Sequence, residues 1–212
     1  NDNKAYIVYS NVSLDNNILS KYNNTKKIYE FDVYNMKVKG REHILINGGG
    51  EIEDKQMWIE RPHIFKFDDY YYLIATEKRN TEQTFSIVVF RSMNIFGPYE
   101  SYINNPILNQ KHLNSNKNVF VNSIGYADFV LTTEGEWWTV LTGIKIYKDN
   151  FYSAGQIMFI SPVKWINGWP IINYGYEEIQ SEYTIKSYEP CPKVSFNDFY
   201  MRDDFLSDTL AD

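Results

Sequence analysis

Cysteine is nearly absent: Cys191 is the one thiol in 212 residues. That excludes an intrachain disulfide framework and a cysteine-rich zinc site. Histidine is scarce as well, and His43, His63 and His112 leave little for a histidine-based metal site. Basic residues do not dominate. Lys and Arg number 21 against 27 Asp and Glu, a net charge of −6, which is the wrong sign for a protein that grips a phosphate backbone, so no nucleic-acid partner is expected. No stretch approaches the ~18 consecutive apolar residues of a membrane helix, and no membrane partner is expected. The opening NDNKAYIVY holds no basic stretch ahead of an apolar one, so no signal peptide is read. It also lacks an initiator Met. The chain therefore reads as a fragment or a processed product, and neither its localisation nor its oligomeric state is legible.

Helical periodicity is missing too. In its place are short aromatic and β-branched runs: Ala5 to Ser10, Ile64 to Phe67, Tyr70 to Thr76, Phe85 to Arg91, Phe129 to Thr133, Trp137 to Leu141 and Gln156 to Ser161. Each is of strand length and suits a pleated surface. Between them lie turn-forming pairs, Asp2-Asn3, Asp68-Asp69, Glu134-Gly135 and Asn167-Gly168. Aromatics make up 17% of the chain, 18 of them Tyr, which is far from a disordered composition.

Three of the turns are evenly spaced. Asp2, Asp68 and Glu134 stand 66 residues apart, each followed by an aromatic strand. A period of this order with several strands per unit reads as a propeller blade with long connecting loops. Three such units fall short of the ~4–8 blades of a closed propeller. The first unit begins inside its own hairpin. The fold class expected is therefore all-β, an incomplete propeller cut upstream. The segment from Asn104 to Asn122 is read as a polar loop. Residues after Glu189-Pro190-Cys191-Pro192 change character and end in the acidic MRDDFLSDTLAD.

The densest chemistry lies in WIERPHIFKF, Trp58 to Phe67. Glu60 sits between apolar residues, just ahead of a proline and the start of a strand. Pro62 fixes its own φ and biases Arg61 to an extended form, which would aim the carboxyl in a defined direction. Such an acid is the kind of group general-acid chemistry uses. From spacing alone, a solvated loop Glu is the favoured reading.

Glu60-Arg61-Pro62-His63 followed by IFKFDDYYYLIATE resembles the Glu-Gly-Pro-His segment of glycoside hydrolase family 43, five-bladed propellers that act on xylan and arabinan side chains. Further segments resemble that family in order: AYIVYS, RSMNIFGPYE with NPIL, GYADFV, and SPVKWINGWPIIN. The similarity covers roughly residues 1–180, and the tail at Arg202 to Phe205 is similar to the start of a following β-sandwich. The resemblance implies residues 1–185 as a partial propeller and 186–212 as a linker entering a missing sandwich domain. It implies an inverting β-xylosidase or α-L-arabinofuranosidase acting on a xylo- or arabino-oligosaccharide. One Asp activates water, a Glu protonates the leaving oxygen and a second Asp tunes that Glu, with the working carboxyls ~6.5–9.5 Å apart. Glu60 falls at the general acid. Both Asp positions fall ahead of Asn1, so the chain alone is expected to hydrolyse weakly or not at all.

The resemblance further implies substrate-binding roles for Thr81, Phe85, Tyr126 and Gln156, while Trp58, beside the acid, is the aromatic best placed for a sugar. Trp137 to Trp169 read as blade core. Several of these positions depart from the family. Arg61 replaces its Gly, Phe85 and Tyr126 replace His, and Gln156 replaces Arg. Losing that Arg removes a fixed charge and a donor fork. These changes support a second reading, a non-catalytic carbohydrate-binding or protein-interaction propeller. No cofactor is expected. By resemblance the centre can hold a structural calcium, though a Tyr in place of a His argues against one. Lys26-Lys27 is too short to be a patch, and INGGGE lacks the features of a phosphate-binding loop.

Overall fold

A computed structural model describes residues 4–10, 25–47, 57–79, 85–113, 119–147, 151, 153 and 155–185. Among them every regular element is a strand. The eleven are β1 (Ala5–Ser10), β2 (Thr25–Asp32), β3 (Lys37–Asn47), β4 (Met57–Phe67), β5 (Tyr70–Arg79), β6 (Ser86–Ser92), β7 (Glu100–Ser101), β8 (Val119–Leu131), β9 (Trp137–Tyr147), β10 (Ile157–Ile166) and β11 (Trp169–Ile172). They form three antiparallel sheets, β1-β2-β3, β4-β5-β6-β7 and β8-β9-β10-β11. Strands β1, β5 and β9 open at Ala5, Tyr70 and Trp137, so the 66-residue period is one sheet per repeat. The fold is all-β and forms part of a propeller. Asp2-Asn3, Thr81 and residues 186–212 lie outside the described residues.

Turn chemistry sets the register. Phe67 pairs with Tyr70 across Asp68-Asp69, and Asp68 takes a positive φ of 50°. Ile166 pairs with Trp169 across Asn167-Gly168, whose φ values of 51° and 73° are those of a type I′ hairpin turn. In the third hairpin Thr132 Oγ1 accepts the Glu136 N–H at 3.0 Å.

The middle sheet is covered on both faces. Tyr72, Ile74, Ile87 and Val89 pack toward the third sheet with Val121, Leu141 and Trp169. Leu73, Ala75, Val88 and Phe90 pack toward the first with Ile28, Leu45 and Ile59. Burial on both sides is why β5 and β6 are continuous apolar runs rather than alternating ones. Trp137, Trp165 and Trp169 lie in or against the first of these cores, as read from the sequence. At the margin of the middle sheet, Asn105 acts as a strand partner. Its Oδ1 accepts the Val89 N–H at 3.0 Å and its Nδ2 donates to the Val89 carbonyl at 2.8 Å.

Two differences from the sequence reading have physical causes. Strands β2 and β3 were not anticipated because TKKIYEFD and KVKGREHILIN carry too many charges to look like strands. They hold their ladder with ion pairs such as Lys27 Nζ to Glu42 Oε1 at 2.7 Å. Strands β4 and β8 start well before Ile64 and Phe129, β8 within the segment expected to be loop. Each passes through a bulge, at Glu60/His63 and at Gly125/Asp128, which masks its periodicity.

Gly125 is required where β8 meets β5. A Cβ there would stand 2.8 Å from Thr76 Cγ2 and 3.0 Å from its Oγ1. Gly125→Ala is expected to cost about 1–3 kcal/mol by overpacking, measured by urea unfolding, and Thr76→Ser in the same chain is expected to recover part of it.

Lys26 is fully buried, and its Nζ has no hydrogen-bond partner. Burial lowers its pKa to about 8 from an ordinary 10.5, with the charge of Glu60 pulling the other way. In the unfolded chain the amine keeps its proton up to its ordinary value. Between those two pH values the unfolded state therefore binds more protons, and stability rises with pH. Lys26→Met is expected to be more stable than the native chain at neutral pH by about 3 kcal/mol. The gap in urea midpoints should close as pH rises through the window from 8 to 10.5.

Candidate active site

The two bulged strands, β4 and β8, carry the site. At equivalent points each holds a side-chain-bearing residue in the left-handed region: Arg61 at φ 51° and Tyr126 at φ 57°. These conformations cost energy for residues with a Cβ. They redirect neighbouring side chains out of the strand's ordinary alternation, as bulges do beside active sites.

Tyr126 is fixed at both ends. Its N–H donates to Thr76 Oγ1 at 2.8 Å, and its phenol donates to Glu60 Oε1 at 2.9 Å. Gln156 stands close enough to the phenol to pull its pKa down, and Gln156 Oε1 accepts from Thr142 Oγ1 at 3.4 Å. Burial raises the Tyr126 pKa, and the bond to Glu60 raises it further. The phenol therefore keeps its proton and remains the donor in this pair. Glu60 is half-buried, opposite Thr76 in the β4–β5 ladder, and not loose in solvent.

Two further contacts join the same strands. The Arg61 guanidinium lies over the Tyr126 ring, 3.7 Å from its centroid. His63 Nδ1 stands 3.2 Å from Asp128 Oδ1. Position for position, the two inner strands thus touch through acid to phenol, cation to ring and imidazole to carboxylate.

Three of the sequence-predicted residues, Glu60, Tyr126 and Gln156, are brought together. Phe85 makes its cation–ring contact elsewhere, beneath Lys78 Nζ at 5.3 Å. The Trp58 backbone pairs with Lys78, two positions before Glu60, and its side chain lies outside the described residues, as does Thr81. The sequence reading gave no role to Lys26, Thr76 or Gly125. The one available signal was that Lys26 shares a strand face with the apolar Ile28, two residues on. A calcium ion at Tyr126 does not fit the residues present. The phenol is committed to Glu60, and a guanidinium already covers its ring. No group of three or more His, Cys, Asp or Glu able to hold a metal ion occurs among the described residues.

A cleft of about 360 Å³ lies between the first two sheets, lined by Tyr6, Val8, Ile28, Pro62, His63 and Ile64 among others. Its lining includes His63 but not Glu60.

The family model for glycosyl hydrolases family 43 matches residues 1–170. A xylosidase/arabinosidase of Butyrivibrio fibrisolvens is 32% identical over 183 residues, which is 85% of this chain and 34% of that protein. A non-reducing end alpha-L-arabinofuranosidase of Bacteroides ovatus is 33% identical over 153 residues, 72% of this chain and 27% of that protein. The chain thus spans about a third or less of these relatives' lengths. Among solved structures, a GH43_12 protein retrieved from capybara gut metagenome superposes with a TM-score of 0.67 at 31% identity, over 85% of this chain and 34% of that one. The fold alone is shared with a xylan beta-1,4-xylosidase from Bacillus halodurans, at a TM-score of 0.72 and 22% identity over 99% of this chain and 38% of that one. The sheet-per-repeat architecture, the ordered motifs and the family match agree, and the chain belongs to glycosyl hydrolases family 43.

Proposed function

We propose that the chain forms part of an inverting glycosidase of the β-xylosidase or α-L-arabinofuranosidase type, with Glu60 as the general acid that protonates the leaving oxygen. The observation that carries this reading is the Tyr126 phenol donating to Glu60 Oε1 at 2.9 Å. It ties one carboxyl oxygen to the scaffold and so fixes the direction of the acid. The names of the relatives, a xylosidase/arabinosidase and an arabinofuranosidase, support pentose-containing substrates. Gln156 and Thr76 act through Tyr126 and are positioning residues in this reading. Inversion also needs a carboxylate base, to which no described residue is assigned here.

A sugar-binding propeller without catalysis is the competing reading, and the guanidinium lying across Tyr126 favours it. The two separate by leaving-group chemistry. Xylobiose needs its leaving oxygen protonated, whereas dinitrophenyl β-xyloside does not. Glu60→Gln is expected to lower turnover of xylobiose by about 10²–10⁴-fold and to spare the activated glycoside. Slow turnover by the native chain is enough for that comparison. Equal loss on both substrates would remove the acid assignment. Calorimetric heat from xylobiose with turnover of neither would favour the binding module. Tyr126→Phe is expected to cost about fivefold on xylobiose, through loss of the hydrogen bond that holds the carboxyl in place, worth about 1 kcal/mol.

A further inference from the structure

We propose that Arg61 makes this site select a saccharide bearing a carboxylate, such as a xylo-oligosaccharide with a uronic-acid substituent. The inference rests on the glycosidase reading and names the substrate class of that same site.

Arg61 is exposed and immediately follows Glu60. Its guanidinium stacks on Tyr126, and Tyr126 is itself pinned through Thr76 and Glu60. The guanidinium carbon lies 3.7 Å from the ring centroid, and the N–H groups of a guanidinium lie in the plane of its fork. Among the described residues nothing accepts from them, and no carboxylate pairs with Arg61. The left-handed backbone at Arg61 holds the stem at the bulge. The guanidinium is therefore held over Tyr126 before any ligand arrives, with no acceptor for it among the described residues, and preorganisation of that kind lowers the cost of binding.

The surrounding charge points the same way. Lys26 Nζ lies buried and without a hydrogen-bond partner, and its charge interacts with Glu60. Lys78 Nζ lies over Phe85, in the ladder row of Trp58. Lys26 and Arg61 thus both stand beside Glu60, while a second acid, Glu77, is buried opposite Ile59 in the same ladder. A sugar hydroxyl would use one donor of the fork. A carboxylate takes two in parallel. Because the guanidinium covers one face of Tyr126, that face is closed to a stacking sugar, and Arg61 offers hydrogen bonding and charge there instead.

The test is calorimetric titration of the full chain with two probes, xylobiose and xylobiose carrying a glucuronic acid substituent. The native chain, Arg61→Gln and Arg61→Lys are compared, each shown by circular dichroism to be folded. The native chain is expected to bind the acidic sugar about tenfold or more tightly than the neutral one. That ratio is expected to shrink with added salt, to fall to near unity in Arg61→Gln, and to be kept in part by Arg61→Lys. Equal affinities in the native chain, or a preference that survives Arg61→Gln, overturn the proposal and leave the glycosidase reading standing. Neutral sugar binding more tightly to Arg61→Gln than to the native chain identifies Arg61 as a plug and overturns it as well. Heat from neither sugar in the native chain overturns both.

Discussion

The site depends on one close approach, that of the β8 backbone to the Thr76 side chain of β5. With no Cβ at Gly125, the strand comes close enough for Thr76 Oγ1 to accept the Tyr126 N–H. That bond holds a tyrosine in a backbone conformation a side-chain-bearing residue seldom keeps. The phenol then reaches across to the neighbouring sheet and meets Glu60. Each link is modest taken singly, since a neutral hydrogen bond contributes about 1 kcal/mol net. Their effect is geometric. They turn two adjacent strands into a fixed frame around one carboxyl.

Electrostatics in this frame opposes stability. A lysine amine buried without a partner costs free energy unless it sheds its proton or finds a counter-charge. Lys26 has only the nearby charge of Glu60 to offset its burial. Such arrangements occur where charge is needed more than stability, and they mark candidate functional positions. Tolerance of Lys26 depends on the rest of the interface between the first two sheets, where Ile28, Leu45, Ile59, Leu73 and Val88 are buried together.

Much of the architecture could be read before any coordinates. Asp68 and Glu134, 66 residues apart and each followed by an aromatic strand, located the second strand of the second and third sheets, because turn residues between two strand-like runs mark a hairpin. Tryptophans at 137, 165 and 169 read as core because large aromatics dominate interior packing, and they lie there. What stayed hidden was long-range. Nothing local in TKKIYEFD says that Lys26 is sealed beside Ile28 while Lys27 reaches Glu42. The pairing of Glu60 with Tyr126 joins residues 66 apart. It appears only when two bulges in different sheets are brought into line. Pro62 looked like a strand boundary, and it instead lies inside β4 at the bulge, where a missing N–H is tolerated.

The side-chain amide of Asn105 does for β6 what a neighbouring strand does elsewhere, offering Val89 one acceptor and one donor. An asparagine in that role is vulnerable in principle. Loss of ammonia would convert its donor into a second acceptor facing a carbonyl. That ageing reaction proceeds through attack by the next residue's backbone nitrogen, and here the next residue is Pro106, whose ring nitrogen carries no hydrogen. The amide that finishes this edge of the sheet is thereby shielded from slow chemical decay by its own neighbour in the chain.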